Sequence, residues 1–303
     1  MTANLPCGVR TVSAIVALGC AFFGPALAGR GQNPAARDGE QAQPGASAQE
    51  GRKKELDAMR QRAGATKVWL LDGGQKTVAQ PLPEALVSYS DQPRNILDAT
   101  VWGYGTKGRP SCIQKVECYR LPGSPKYFYC MASLSDGLVS ATWRNGRTWS
   151  ANKPGIQMLP LPDGPKAASI QSGRLLQIKS AIRRFSATFS DPAGGVREEI
   201  RLLPRPIYRY ADPGAGLQDG AIFAFATNGT NPDLLILIEL HGPDLARATW
   251  KYGPARMTLG QLTVRLDNRD VWSVPYYPPP WGNNAATFDT WLCFFDTQGE
   301  AGN

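Results

Sequence analysis

The sequence predicts an α+β protein, β-rich overall, made of two similar lobes that are each a helix packed on an antiparallel β-meander. The first observation is an internal similarity. The stretches 98–117 and 219–239 share an opening Asp, an apolar centre, a Thr-x-Gly turn, a Pro and a closing Glu. At an offset of 121 residues the match extends back without a gap to Leu82 and Leu203. We interpret this similarity as a duplication.

The second observation is size. A chain of 303 residues that is 42% hydrophobic buries one large core or two of ordinary size. Prolines at 154, 160, 162 and 165 mark a connection between the lobes. The predicted division is a signal peptide at 1–28, a disordered linker at 29–48, a first lobe at 49–150, a Pro-rich linker at 151–171, a second lobe at 172–275 and an aromatic, Pro-rich tail at 276–303.

The N-terminus has the pattern of a secretory signal peptide. Arg10 precedes an apolar run at 12–23, and Ala26-Leu27-Ala28 provides a small-residue cleavage site. The protein is therefore expected to be secreted or periplasmic. An alternative takes residues 17–20 as a lipoprotein box, with the protein anchored at Cys20. No later stretch has the roughly 20 apolar residues of a transmembrane helix, so none is predicted.

In the first lobe, helical spacing of apolar residues predicts a short helix at 52–62, and a strand begins at 68–71. The hairpin at 98–117 follows. A second hairpin is centred on Pro122-Gly123-Ser124-Pro125, and a third turns at Asn145-Gly146, a strong tight-turn signal.

In the second lobe, Ser172 opens the best helical pattern of the chain. The residues that share its apolar face are Leu175, Ile178, Ile182, Phe185 and Phe189. An alternating strand at 196–202 and the hairpin at 219–239 come next. A last hairpin turns at Asp267-Asn268.

Four cysteines lie outside the leader, in a compartment that permits disulfides. Cys118 and Cys130 flank the turn at 122–125, which predicts that they face each other and form a disulfide. Cys112 and Cys293 are a weaker second pair, and free buried thiols are the alternative for them. Because the chain has no CxxC and no Cys/His cluster, no metal site is predicted.

The ends of the two similar hairpins place carboxylates together. Symmetric pairing sets Asp98 beside Glu117 and Asp219 close to Glu239, and adjacent like charges destabilise a sheet. Compensation could come from an arginine, with Arg120 or Arg209 nearest in sequence, or from a cation such as calcium. Paired carboxylates are also what glycoside hydrolysis requires. Otherwise each Asp caps a turn and each Glu points to solvent.

A net charge of +8 and a pI near 9.2 suit an anionic polymer or glycan as partner, although a solvated basic surface explains the same charge. Binding candidates are Arg183 and Arg184, and the aromatics Tyr276, Tyr277, Trp281 and Trp291 as a sugar platform. These aromatics could instead cover a core edge. Export and the lack of any basic run beyond 52–54 argue against nucleic acid.

Two catalytic patterns fail on their context. Gly103, Gly105 and Gly108 fit G-x-G-x-x-G, but a strand-like segment follows where a phosphate loop opens a helix. His241 is the only histidine, and no G-x-S-x-G accompanies it. No cofactor is predicted.

The run RLLPRPIYRY at 201–210, the hairpin DGAIFAF to LLILIEL and the region of Trp272 resemble an uncharacterised family of secreted bacterial proteins of planctomycete type. This resemblance implies a compartment and no activity. The function expected from the sequence is a non-catalytic binding or scaffold module for an acidic or glycan surface. The alternative is a polysaccharide hydrolase that uses two of the paired carboxylates.

Overall fold

The computed structural model describes residues 46–72, 74–105, 107–121, 126–191, 197–277 and 290–296. The predicted signal peptide, the lipid-anchor candidate Cys20, most of the predicted linker at 29–48 and the tail residue Trp281 lie outside these residues. None of the described helices is long and apolar enough to span a bilayer.

The first half begins with a helix and continues in short strands. Its elements are α1 (Ala46–Ala65), β1 (Lys67–Asp72), β2 (Gln75–Ala79), β3 (Val87–Asp91), a 3-10 helix (Gln92–Arg94), β4 (Ile96–Tyr104), β5 (Cys112–Tyr119), β6 (Lys126–Ser133), β7 (Leu138–Thr142) and β8 (Thr148–Ser150).

The second half repeats this order between two extra strands. Its elements are β9 (Leu159–Pro160), α2 (Gln171–Ile182), β10 (Phe185–Ser190), β11 (Arg197–Leu202), β12 (Tyr208–Asp212), a 3-10 helix (Pro213–Ala215), β13 (Leu217–Ala226), β14 (Leu234–His241), β15 (Thr249–Arg256), β16 (Gln261–Leu266), β17 (Arg269–Val274) and β18 (Trp291–Phe295).

The strands form three antiparallel sheets. One has the order β2-β1-β7-β8, and a second has the order β18-β6-β5-β4-β3. The largest runs β17-β16-β10-β11-β13-β14-β15-β9, with β12 beside β13. Strand pairing recurs between the halves, since Tyr89 lies opposite Ala99 in β3 and β4, and Tyr210 lies opposite Gly220 in β12 and β13. A register shift follows each of these pairs.

The central strands are buried on both faces, which explains their continuous apolar runs. In β13, Ile222 and Ala224 belong to one hydrophobic cluster, whereas Phe223 and Phe225 belong to another that contains the buried face of α2. The first of these clusters also contains most of the core of the first half. The two halves therefore share a core.

Neighbouring residues of β5 show which layer lies on each side of the first-half sheet. Gln114 donates a hydrogen bond to Thr66, directly after α1, whereas Lys115 donates to Asn231 of the second half. Because successive strand residues point to opposite faces, α1 and the second half cover opposite faces of this sheet.

The predicted fold class is wrong. The described residues are mostly β, in curled antiparallel sheets, and not two lobes that each carry a helix. Residues 44–303 form one compact unit. Two strands expected in connecting segments join the sheets: β9 pairs with β15, and β18 pairs with β6 of the first half. The chain therefore crosses between the halves at both places.

The second helix is shorter than predicted. It ends at Ile182, and Phe185 and Phe189 belong to β10, which pairs with β11 and β16. A spacing of four residues places side chains on one face of a helix and also on one face of a strand, so these two positions fit both patterns. The predicted turns at 145–146 and 267–268 are present, with positive φ at Gly146, Asp267 and Asn268. The turn predicted at 122–125 lies outside the described residues.

Candidate functional site

The register of β5 and β6 overturns the predicted disulfide between Cys118 and Cys130. Cys118 lies opposite Tyr127, and Cys130 lies opposite Lys115. Since this pairing differs by an odd number of residues from the predicted one, Cys118 and Cys130 point to opposite faces of the sheet. Both side chains are buried.

The weaker pair, Cys112 with Cys293, is also separated. Cys112 lies opposite Ser133 in β6, whereas Cys293 lies opposite Cys130 on the other side of that strand. Two strand spacings of roughly 4.8 Å exceed the Cα separation that a disulfide spans.

The predicted carboxylate pairs are split in the same way. Asp98 lies opposite Cys118, and Glu117 lies opposite Ala99, so the two carboxylates occupy opposite faces of the sheet. In the second half, Asp219 lies opposite Leu240, one position away from Glu239. The four groups therefore do not form two facing pairs, which is the arrangement that the hydrolase alternative needs.

The two aspartates pair with arginines on the helical side of each sheet. Asp98 lies 3.2 Å from Nε of Arg52, and burial raises its pKa although Arg52 opposes the shift. Asp219 accepts hydrogen bonds from Arg174 at 2.8 Å and from Arg209 at 2.7 Å. Arg209 was one of the two compensating arginines expected from the sequence.

Glu117 and Glu239 are buried on the side where the two halves meet. Tyr89 donates a hydrogen bond to Glu117 at 2.5 Å, and Nζ of Lys115 lies 3.2 Å from the same carboxylate. Lys115 is itself buried and donates to Asn231 at 2.8 Å. This arrangement joins the halves through charged groups that have their partners inside the protein.

Glu239 has three donors. Arg109 binds both of its oxygens, at 2.8 and 3.0 Å, Tyr210 donates at 2.6 Å, and Nε2 of His241 lies 2.6 Å away. Burial opposes ionisation, but the hydrogen bonds from His241, Arg109 and Tyr210 lower the pKa of Glu239 to about 2. A carboxylate held ionised in this way is a structural anion and a poor proton donor.

His241 is partly exposed and lines a cavity of about 260 Å³ together with Ser111 and Ser135. Among the described residues, the imidazole has Glu239 as its hydrogen-bond partner and no serine or cysteine within hydrogen-bonding distance. A histidine that activates a nucleophile requires that contact. The described residues also contain no group of three acidic, His or Cys side chains close enough to hold a metal ion.

Several of the predicted surface binding residues contact other parts of the protein. Arg183 is exposed at the end of α2, but Arg184 forms an ion pair with Asp267, with a shortest distance of 2.5 Å. Tyr277 packs against Trp291, with ring centroids 5.4 Å apart, so it covers a core edge. Tyr276 is half-buried.

A cleft of about 400 Å³ lies where the connection between the halves passes the ends of β6, β15 and β17. Among the residues that line it are Lys153, Gln157, Arg256, Trp272, Thr290 and Trp291. Of these residues, Trp291 belongs to the predicted sugar platform, and the sequence did not predict the rest of the site. One signal was available, because Arg256 ends a strand whose preceding residues are otherwise largely apolar.

Arg256 is 9% exposed and is held by backbone carbonyls. Its Nε donates to Thr258 at 3.1 Å, and its Nη2 donates to Gly260 and Pro275, both at 2.8 Å. Within the part of the chain that the structure describes, no carboxylate forms an ion pair with Arg256. Desolvation in this setting lowers its pKa to about 10.

Trp272 and Trp291 provide the aromatic surface of the cleft. The Arg256 guanidinium lies 5.3 Å from the ring centroid of Trp291. The Trp291 side chain is buried, and its Nε1 has no hydrogen-bond partner among the described residues. A buried N–H without an acceptor is rare in proteins, because its desolvation is uncompensated. The cleft is thus lined by a buried guanidinium without a carboxylate partner in the described chain, next to aromatic surface.

Comparison of the chain with protein-family models, with curated proteins and with solved structures gives no match.

Proposed function

We propose that the protein is an exported, non-catalytic binding protein that recognises a carboxylate-bearing sugar, such as a uronic acid unit of an acidic polysaccharide, in the cleft at Arg256. The single observation that carries the proposal is Arg256 itself, a cation buried at the cleft without a carboxylate partner in the described chain.

The charge supports an anionic ligand. A buried charge costs free energy unless it is paired, and Lys115, which is also buried in the described chain, has the acidic partner Glu117. An acid group on the ligand would supply the missing partner, because guanidinium and carboxylate form strong charge-assisted hydrogen bonds. Lys153, exposed at the rim of the cleft, adds positive charge.

The shape and remaining lining support a sugar. A volume of about 400 Å³ lies within the range of small-molecule sites. Trp272 provides rigid apolar surface for the face of a sugar ring, while Gln157 and Thr290 offer groups that exchange hydrogen bonds with hydroxyls. The net charge of +8 favours the approach of an acidic polymer.

The test is calorimetric titration of the protein with a galacturonic acid oligosaccharide, compared with the same oligosaccharide as its neutral methyl ester. We expect binding of the acid form and much weaker binding of the ester. Arg256→Lys keeps the charge but changes the donor geometry, and we expect roughly a ten- to hundredfold loss of affinity. Trp272→Ala should also weaken binding, without changing the preference for the acid form.

The matched control is the double variant Arg183→Ala, Arg184→Ala, which removes two positive charges outside the cleft. Its affinity should equal that of the unsubstituted protein apart from a small loss at low salt. Equal binding of acid and ester would contradict the proposal. So would a loss of binding in the double variant with full affinity in Arg256→Lys, because the site would then be at the end of α2.

A further inference from the structure

We propose that Cys130 and Cys293 form a disulfide that fastens the C-terminal strand β18 to β6. Neither the predicted pairings nor the ligand site assigns this bond, and the inference does not depend on the proposed function. It rests on the pairing of the two strands, in which Cys130 and Cys293 lie directly opposite each other.

The hydrogen bonds of the ladder show which kind of pair the cysteines form. Ser133 donates its backbone N–H to Thr290, and Asp296 donates to Tyr127, both at 2.8 Å. In an antiparallel ladder, hydrogen-bonded and non-hydrogen-bonded pairs alternate. The odd-numbered residues of β6 therefore bond to β18, and Cys130 with Cys293 is a non-hydrogen-bonded pair.

This kind of pair suits a disulfide. Its Cα atoms are about 4.5 Å apart, closer than in a hydrogen-bonded pair, and its side chains point to the same face. A Cα separation of about 4.4 to 6.8 Å is what a disulfide spans without backbone movement. Both cysteines are at most 3% exposed, and the Cys130 thiol has Cys293 as a hydrogen-bonding neighbour.

Burial also determines when the bond can form. The pKa of Cys130 in the folded protein is raised well above its usual range, mainly by desolvation, so its thiol is a poor nucleophile there. The bond is therefore expected to form during folding, with a disulfide such as oxidised glutathione as the oxidant. One cysteine thiolate attacks that disulfide to give a mixed disulfide and releases one glutathione thiolate. The second cysteine thiolate attacks the mixed disulfide and releases another.

The products are the bond between Cys130 and Cys293 and two reduced glutathione molecules, which take up the two protons and the two electrons of the cysteine thiols. The consequence for the fold is a covalent link between the first-half sheet and a strand more than 150 residues later in the chain. Because Trp291 lies on the same strand and lines the cleft, the link also fastens one wall of the cleft.

The test is refolding of the full chain in a buffer of reduced and oxidised glutathione, followed by alkylation and digestion with trypsin. Cleavage after Lys and Arg puts Cys112, Cys118, Cys130 and Cys293 in four separate peptides. Mass spectrometry without reduction should show the peptides of Cys130 and Cys293 joined, with Cys112 and Cys118 alkylated. Alkylation of both Cys130 and Cys293, or their linkage to other cysteines, would overturn the proposal.

A second measurement compares oxidised and reduced protein by thermal unfolding. Reduction should lower Tm by roughly 5 to 15 °C in the unsubstituted protein and in Cys118→Ser. Cys130→Ser and Cys293→Ser should each abolish this difference. An equal difference in Cys118→Ser and Cys130→Ser would show that another bond is responsible.

Discussion

The acid sensitivity of the protein should depend on Glu239, and the substitution Glu239→Gln tests this. Its pKa in the folded protein is about 2, against an ordinary value of 4.5. Because the folded pKa lies below the unfolded one, the ionised carboxylate contributes stability at pH values above about 4.5. That contribution is lost as pH falls through about 2.

The expected change in unfolding free energy follows from the lowered pKa of Glu239. A difference of about 2.5 pKa units corresponds to about 3 kcal/mol of unfolding free energy, as an order of magnitude. At neutral pH, Glu239→Gln leaves the half-buried Arg109 without its main counter-charge and should destabilise the protein by about 3 to 5 kcal/mol. At about pH 2 the difference between the two proteins should be smaller by about 3 kcal/mol, because the wild-type carboxyl is then substantially protonated.

The assay is urea unfolding followed by tryptophan fluorescence at several pH values from about 2 to 7. Asp244→Asn is the control, because Asp244 also pairs with an arginine, Arg247, but lies in solvent that screens the pair. This control should keep the acid dependence of the unsubstituted protein. If the unfolding free energies of Glu239→Gln and the unsubstituted protein stay parallel over the whole range, Glu239 is not the group that the contacts indicate.

Two further predictions concern buried charges. Asp219→Asn should destabilise the protein by about 3 kcal/mol, because it removes the partner of Arg174 and Arg209. Asp98→Asn, at the equivalent position, should cost less than about 1 kcal/mol, because its partner Arg52 is 58% exposed. Urea unfolding at neutral pH compares the two, and equal losses would contradict this reasoning. Lys115→Met should destabilise the protein by about 3 kcal/mol or more, because it leaves buried oxygens without a donor. An unchanged unfolding free energy would show that the association of the halves does not depend on this contact.

A tyrosine–glutamate contact recurs at equivalent positions of the two halves. Tyr89 with Glu117 and Tyr210 with Glu239 form the same contact at equivalent positions, at 2.5 and 2.6 Å. The order and pairing of the strands around these contacts also recur. Duplication remains our interpretation of the sequence similarity. The two halves nevertheless belong to one compact unit, since buried residues of both halves occupy one cluster.

Residues close in sequence determined the turns and most of the strands. Asn145-Gly146 and Asp267-Asn268 form tight turns because such residues tolerate the positive φ that these turns need, and that preference acts locally. The alternation of apolar residues between 261 and 274 likewise placed the last hairpin correctly.

The tertiary structure alone decided which residues meet. A shift of one residue in register exchanges the two faces of a strand, and register depends on packing across the whole sheet as well as on the geometry of the connecting turn. The disulfide and carboxylate predictions failed for this reason. The sequence did not predict the cleft at Arg256 either, because the cleft is built from segments that are spread between residues 132 and 291. Nothing local shows that these segments meet around a buried arginine.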